Sequence, residues 1–291
     1  MKQYQLLLMI MVMVSMPAHS RDTIRVVGSS TVYPFATVVA ENFGRQDNGF
    51  KTPIIESTGS GGGLKLFCTG KGPSTPDVTN ASRRIKEREV ALCAKNGINE
   101  IIEHKIGFDG IVIANAKNGP TFELSRKDLY MALAAKVPCG IQDGVTCDNE
   151  AKTWKDVNSS LPDIRIEVYG PPPTSGTRDA FAELGLGGGC KMIPWVKKFK
   201  KKDKSAWKQL CYTVREDGAY IETGENDNLI IQKLVNNPNA VGVFGFSFLD
   251  QNTDSVKGST VDGIVPTFES IASGDYKVSR SLFFYVKKAH I

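Results

Sequence analysis

The chain has 291 residues, with 36 Lys and Arg against 31 Asp and Glu for a formal net charge of +5, and it carries 28 glycines and 14 prolines. That length supports a proper apolar core in one or two domains of mixed α/β type, and so mild a charge without basic–aromatic interleaving argues against a nucleic-acid partner. Six cysteines, even in number and with no C-x-x-C pair, leave zinc and thiol-redox chemistry without a signature.

In chain order, Lys2, the apolar residues 6–14 and Ala18-His19-Ser20 have the layout of a cleavable secretory signal over residues 1–20, too short to span a membrane. The sequence thus predicts an exported, soluble chain whose cysteines pair in an oxidising compartment. Neighbour pairing would give Cys68–Cys93, Cys139–Cys147 and Cys190–Cys211, one of the many connectivities that six cysteines allow.

A short strand at residues 24–27 runs into Gly28-Ser29-Ser30-Thr31, after which Val32, Phe35, Val38, Val39 and Phe43 recur at helical spacing. A second strand at 52–57 meets Gly59-Ser60-Gly61-Gly62-Gly63, with a helix expected from Leu64. A third at 77–82 ends in Arg83-Arg84 before a helix at 87–95. This alternation predicts parallel β-α-β units, whose ligand sites lie at the carboxyl ends of the strands. Residues 101–106 and 110–114 are expected as two strands separated by Gly107-Phe108-Asp109, followed by a helix at 126–135. A buried strand at 164–169 feeds the loop Gly170-Pro171-Pro172-Pro173-Thr174-Ser175-Gly176-Thr177, and a helix resumes at Arg178. Residues 191–208, with eight lysines against Asp203, are expected as a solvated helix face. A helix at 228–236 and strands at 241–246 and 282–286 complete the series.

Three of these turns share one chemistry. Gly28-Ser29-Ser30-Thr31, the Gly59 run and Ser175-Gly176-Thr177 each place glycine and hydroxyls where a helix begins, with its unpartnered N–H groups and positive dipole end. Together they predict a small-oxyanion site assembled from distant parts of the chain. No acidic residue stands about twenty positions beyond the glycine run in a matching unit, so dinucleotide binding is not indicated.

The same residues carry a resemblance. Gly28-Ser29-Ser30-Thr31-Val32-Tyr33-Pro34, the Gly59 run with Leu64-Lys65, Asn80-Ala81-Ser82-Arg83-Arg84, Lys105-Ile106-Gly107-Phe108-Asp109-Gly110-Ile111, the Ser175-Gly176-Thr177 loop and Ile271-Ala272-Ser273-Gly274 resemble the periplasmic phosphate-binding proteins of bacterial ABC transporters. The resemblance covers nearly all of the mature chain. It implies a two-lobed, type-II periplasmic-binding fold of α/β class, mostly parallel sheets with a hinge between lobes. Lobe 1 would take residues 21–107 with 279–291 returning to it, and lobe 2 residues 108–278. It also implies inorganic phosphate as ligand, delivery to permease subunits, a monomer and no cofactor.

Carried over by motif, the ligand set is Ser30, Thr31 and Ser60 from the first lobe and Ser175, Gly176 and Thr177 from the second. Two departures stand out. Many relatives carry Asp where this chain has Arg83, and Arg where it has Pro171, four residues before Ser175. Arg83 and Arg178 are therefore expected to supply the charge, each able to grip two oxygens, while Arg84 lies at the surface. Loss of that aspartate bears on the discrimination against sulfate. Relatives also usually continue beyond the strand at 282–286, and a missing helix there would leave apolar surface of lobe 1 uncovered.

Two other readings remain open in the sequence. One is a carrier of another tetrahedral oxyanion, such as sulfate or molybdate. The other is a secreted serine hydrolase or phosphatase, which needs a base beside its serine. Beyond the signal only His104 and His290 are available, neither in a metal-binding or triad setting.

Overall fold

The structure is a computed structural model and describes residues 23–29, 31–46, 49–140, 142–224 and 226–291. The signal expected at residues 1–20, and Ser30, lie outside the described residues. The first half follows the alternation expected: β1 (Arg25–Gly28), α1 (Tyr33–Gly44), β2 (Ile54–Ser57), α2 (Gly59–Phe67), β3 (Val78–Ala81) and α3 (Glu87–Lys95). Strand β1 pairs in parallel with both β2 and β3, and the helices supply the crossovers that parallel neighbours need. The glycine run is not a loop. It forms the first turn of α2, which starts at Gly59 rather than at Leu64.

The second half comprises β4 (Ile101–Ala116), β5 (Glu123–Leu124), α4 (Arg126–Leu133), β6 (Lys136–Pro138), β7 (Thr146–Asp148), α5 (Trp154–Val157), β8 (Val168–Gly170) and α6 (Gly176–Ala180). A π-helical turn, Phe181–Leu186, carries α6 into α7 (Gly187–Cys190). There follow α8 (Pro194–Lys202), α9 (Lys204–Tyr212), β9 (Tyr220–Glu222), α10 (Asp227–Asn236), β10 (Val241–Gly245), α11 (Phe246–Gln251), β11 (Val256–Gly258), β12 (Thr260–Val261), α12 (Phe268–Ser273) and β13 (Ser279–Lys287). The expected strand at 164–169 is corrected to β8 alone. Arg165 is drawn off into an isolated bridge with Thr153.

The main sheet has the order β2-β1-β3-β13-β4-β10-β8-β9, with β11 also on β4. Parallel strands occupy its two ends, and the antiparallel pair β13–β4 joins them. The fold is α/β and two-lobed, and β4 pairs with strands of both halves of the sheet. Its first part faces β13, and from Ile111 onward it faces β10 and β11. The two strands expected around Gly107-Phe108-Asp109 are therefore one strand of 16 residues. The reason is the partner. Leu282, Ser281 and Arg280 pair with Gly107, Phe108 and Asp109, so the ladder runs through the glycines, and a register shift between Leu282 and Phe283 leaves Ile106 out of the pairing.

The largest core lies in the second half and gathers Trp154, Phe181, Trp207 and Tyr276, while a second cluster packs Ile230, Leu234 and Phe244 behind β4. The first half holds a smaller one, to which β13 contributes Phe283 and Tyr285 beside Leu64 and Phe67. Helix α1 forms where the periodicity predicts, but it buries Ala36 and Ala40 and leaves Phe35, Val38 and Val39 exposed. All six cysteines pair as neighbours, with Cα separations of 4.2 Å for Cys68–Cys93, 5.8 Å for Cys139–Cys147 and 5.6 Å for Cys190–Cys211. The lysine-rich stretch becomes α8 and α9, its charges outward, with Lys191 and Lys200 lying over the face of buried Trp207. No described helix is long and apolar enough to cross a membrane.

Candidate functional site

On the first lobe, close backbone packing sets the turns. Gly28 ends β1 at φ +141°, and a Cβ there would lie 2.0 Å from the Asn80 carbonyl oxygen, so only glycine fits. Gly63 on α2 sits against it, with 2.4 Å between its would-be Cβ and Gly28 Cα, which draws the head of α2 onto the carboxyl end of β1. Ser29 N–H donates to Asn80 O at 3.1 Å and Tyr33 N–H to Ser29 O at 3.0 Å, fixing the turn that carries Thr31. Ser60 Oγ accepts from Ser82 N–H at 3.0 Å and stands 3.1 Å from Ser82 Oγ, so its hydroxyl is tied to the end of β3.

On the second lobe, β8 delivers the proline loop to Ser175, the N-cap of α6, whose Oγ accepts from Thr177 N–H at 3.2 Å. Arg178 follows. An exposed first-turn arginine would be ordinary, but this one is buried: its guanidinium stacks on the Tyr220 ring at 4.1 Å, and Nη1 reaches Pro171 O at 3.5 Å. No carboxylate lies within 4.0 Å of it among the described residues. Tyr220 donates its hydroxyl to Pro171 O at 3.0 Å, and burial pushes its phenol up to about 12 despite the opposing pull of Arg178.

The two turns meet. A cleft of about 1160 Å³ is lined by Thr31 from one lobe, by Thr174, Ser175, Gly176 and Thr177 from the other, and by Asp109 between them. Gly176 touches Thr31 so closely that a Cβ would stand 2.9 Å from both its backbone N and Oγ1. Of the residues expected at the site, Thr31, Ser175, Gly176 and Thr177 share this cleft. Ser60, Arg83 and Arg178 do not line it. Arg83 forms two hydrogen bonds to Glu89 on α3, at 2.7 and 2.9 Å, with a weaker pull from Glu183 on the helix beyond α6. Arg84 is a surface residue paired with Glu103.

Sequence reasoning missed Arg280. It stands on β13 opposite Asp109 on β4, donates from Nε to Asp109 Oδ2 at 3.1 Å and from Nη2 to Thr31 Oγ1 at 2.7 Å, and approaches Gly176 O at 3.5 Å. Burial raises the Asp109 carboxyl above its usual range, against the opposing pull of Arg280. Asp179, in the first turn of α6, is likewise raised by burial, with Arg280 pulling it back. The available signal was Asp109 inside the Gly-Phe-Asp-Gly segment; a lone arginine before an apolar strand carries no recognisable motif.

Neither described histidine lines the cleft. His104 is exposed, and His290 bonds Asp77 at 2.7 Å on another face of the molecule. No group of three or more potential metal ligands occurs among the described residues.

Comparison with known proteins places the chain in a family. Residues 14–291 match the profile of a family described as a PBP superfamily domain. The chain is similar to "Protein SphX" of Synechococcus elongatus, at 30% identity over 91% of this chain and 69% of that protein. It is similar to "Phosphate-binding protein PstS" of Staphylococcus haemolyticus, at 32% identity over 90% of this chain and 69% of its relative. Among solved structures, "a possible phosphate binding protein" from Planctomyces limnophilus superposes with a TM-score of 0.70 at 29% identity, covering 92% of this chain and 82% of that one.

Proposed function

The chain belongs to the PstS family of phosphate-binding proteins within the PBP superfamily, and from that membership we propose that it captures inorganic phosphate outside the cytoplasm and passes it to the permease subunits of an ABC importer. The observation that carries the ligand assignment is the meeting of Thr31 with Ser175, Gly176 and Thr177 in one cleft between the lobes. A phosphate dianion leaving water needs many donors to replace its hydration. Helix-start N–H groups and hydroxyls provide them from both sides.

The ligand set we assign is Thr31 on the first lobe with Ser175, Gly176 and Thr177 on the second, the four that line the cleft, and Ser30 by resemblance; Ser60, bonded to Ser82, stands outside that set. Neither arginine lines the cleft; the longer-range positive charge we assign to Arg178, stacked on Tyr220 three residues beyond Ser175, because the Arg83 guanidinium is committed to Glu89. The lobes we assign are residues 21–107 with 279–291, and residues 108–278, and the chain acts as a periplasmic monomer after removal of residues 1–20. Its family consists of transport proteins rather than enzymes. Calorimetric titration of the mature chain with phosphate and, separately, sulfate tests the proposal: saturable phosphate binding is expected. Absence of binding at millimolar phosphate overturns the assignment, and preference for sulfate replaces it with the other oxyanion.

A further inference from the structure

We propose that Arg280 is a positioning residue that sets the Thr31 hydroxyl as a donor toward the bound anion and ties it to the opposite lobe; the role rests on the phosphate-binding reading above. A hydroxyl has one proton to give and two lone pairs to offer. Arg280 Nη2 donates to Thr31 Oγ1 at 2.7 Å, so a permanent cation occupies one lone pair and the hydroxyl proton is left to point elsewhere. Thr31 lines the cleft opposite Ser175, Gly176 and Thr177, so the cleft is where that proton can be used. Donation from a guanidinium also polarises the O–H bond, and chained hydrogen bonds of this kind strengthen one another. Thr31 is thereby fixed in the polarity an oxyanion requires.

The guanidinium is itself held from behind. Asp109 Oδ2 accepts from Nε at 3.1 Å, the two residues face each other across the antiparallel β4–β13 ladder, and their side chains are only 14% and 13% exposed. A purely structural ion pair would need nothing beyond that partner. Here the outer nitrogen instead reaches both lobes, bonding Thr31 on one and approaching the Gly176 carbonyl of the other at 3.5 Å. Arg280 thus stands at the point where the two hydroxyl turns touch, on one of the two strands that connect the lobes.

The test is a double-mutant cycle read by calorimetry with inorganic phosphate on the mature chain, using Thr31→Ala, Arg280→Gln, Arg280→Lys and the double variant Thr31→Ala/Arg280→Gln. Arg280→Gln is expected to weaken binding about ten-fold or more, the scale of one charged hydrogen bond. The double variant is expected to bind within about two-fold of the weaker single one, because the arginine acts through Thr31. Arg280→Lys keeps the charge but places all its donors on a single nitrogen, so it cannot span Asp109, Thr31 and the Gly176 carbonyl together and partial recovery is expected; it also serves if Arg280→Gln fails to fold. Wild-type affinity in Arg280→Gln, or losses that multiply in the double variant, would overturn the proposal. A second arm needs no ligand: small-angle scattering of the phosphate-free Arg280 variants, where loss of the bridge is expected to open the lobes and enlarge the radius of gyration. Should wild-type protein bind no phosphate, the functional assignment fails at the first titration. The bridge is then judged by scattering alone, and an unchanged radius in both variants sinks it.

Discussion

Arg178 and Arg83 carry the same formal charge and meet different environments. Arg83 is neutralised by a two-point bond to Glu89, whereas Arg178 is buried against Tyr220 and reaches the Pro171 carbonyl at 3.5 Å. A buried guanidinium with no carboxylate in contact among the described residues is costly unless an anion arrives to share its charge. Arg178→Gln is therefore expected to weaken phosphate binding by about 1.5–3 kcal/mol, roughly ten- to a hundred-fold, with the circular dichroism spectrum unchanged. The same substitution at Arg83 should act mainly on stability. Gly176 makes a different demand, since any side chain would press on Thr31 within 2.9 Å. Gly176→Ala is expected to cost about 1–3 kcal/mol of closure and to lower phosphate affinity accordingly, measured by the same titration. Residue types at these positions were legible because glycine and hydroxyls at a helix start have a local meaning. Arg280 was not, because its meaning comes from Thr31 and Gly176, 249 and 104 positions away along the chain.

At the level of elements, helix α3 shows how a residue expected in the ligand shell can serve the scaffold. Burial alone would raise the Glu89 carboxyl, but the Arg83 hydrogen bond and the Lys86 backbone N–H together hold it below its usual range. A carboxyl with a depressed folded-state pKa stabilises the fold above the ordinary carboxylate range, and that contribution is lost as pH falls through it. Glu89→Gln should thus be less stable than wild type at pH about 7, by about 1 kcal/mol given the partial exposure, and the gap should narrow at an acid pH below the ordinary carboxylate range. Thermal melts of both proteins at the two pH values check this. A gap that persists in acid would mean that packing, not charge, ties α3 to the end of β3. Most elements were legible from periodicity and punctuation: the residues of α3 and the order strand–turn–helix both follow from local pattern. The exceptions have a common cause. Continuous β4 needs its ladder with β13, and α1 turns Ala36 and Ala40 to the sheet because small side chains allow close approach, against the pull of its larger apolar residues.

Across the whole molecule, β4 and β13 join the two ends of the main sheet, and Asp109 on β4 lines the candidate cleft. Closure about such a connection is a hinge motion, in which a ligand that bonds both sides favours the closed arrangement. Scattering of the mature chain is accordingly expected to show a smaller radius of gyration with saturating phosphate than without, and no contraction in Gly176→Ala. An identical radius with and without ligand would mean that the lobes are already locked. Class and family were legible because several weak motifs fell in the right order along the chain. The join between the lobes was not, since antiparallel pairing between residues 101–110 and 279–287 leaves no mark on either segment alone.

Strand β13 also governs the order in which the chain can assemble. It inserts between β3 and β4 and brings Phe283 and Tyr285 into the core of the first lobe, while most partners of that core are encoded before residue 102. Tyr285 accepts from the backbone of Ile85 across 200 residues, so completing this lobe closes a very long loop. The second lobe buries its large aromatic core within one continuous stretch and has no such wait. The core of the lobe that is written first therefore cannot be completed until the last strand of the chain has been made.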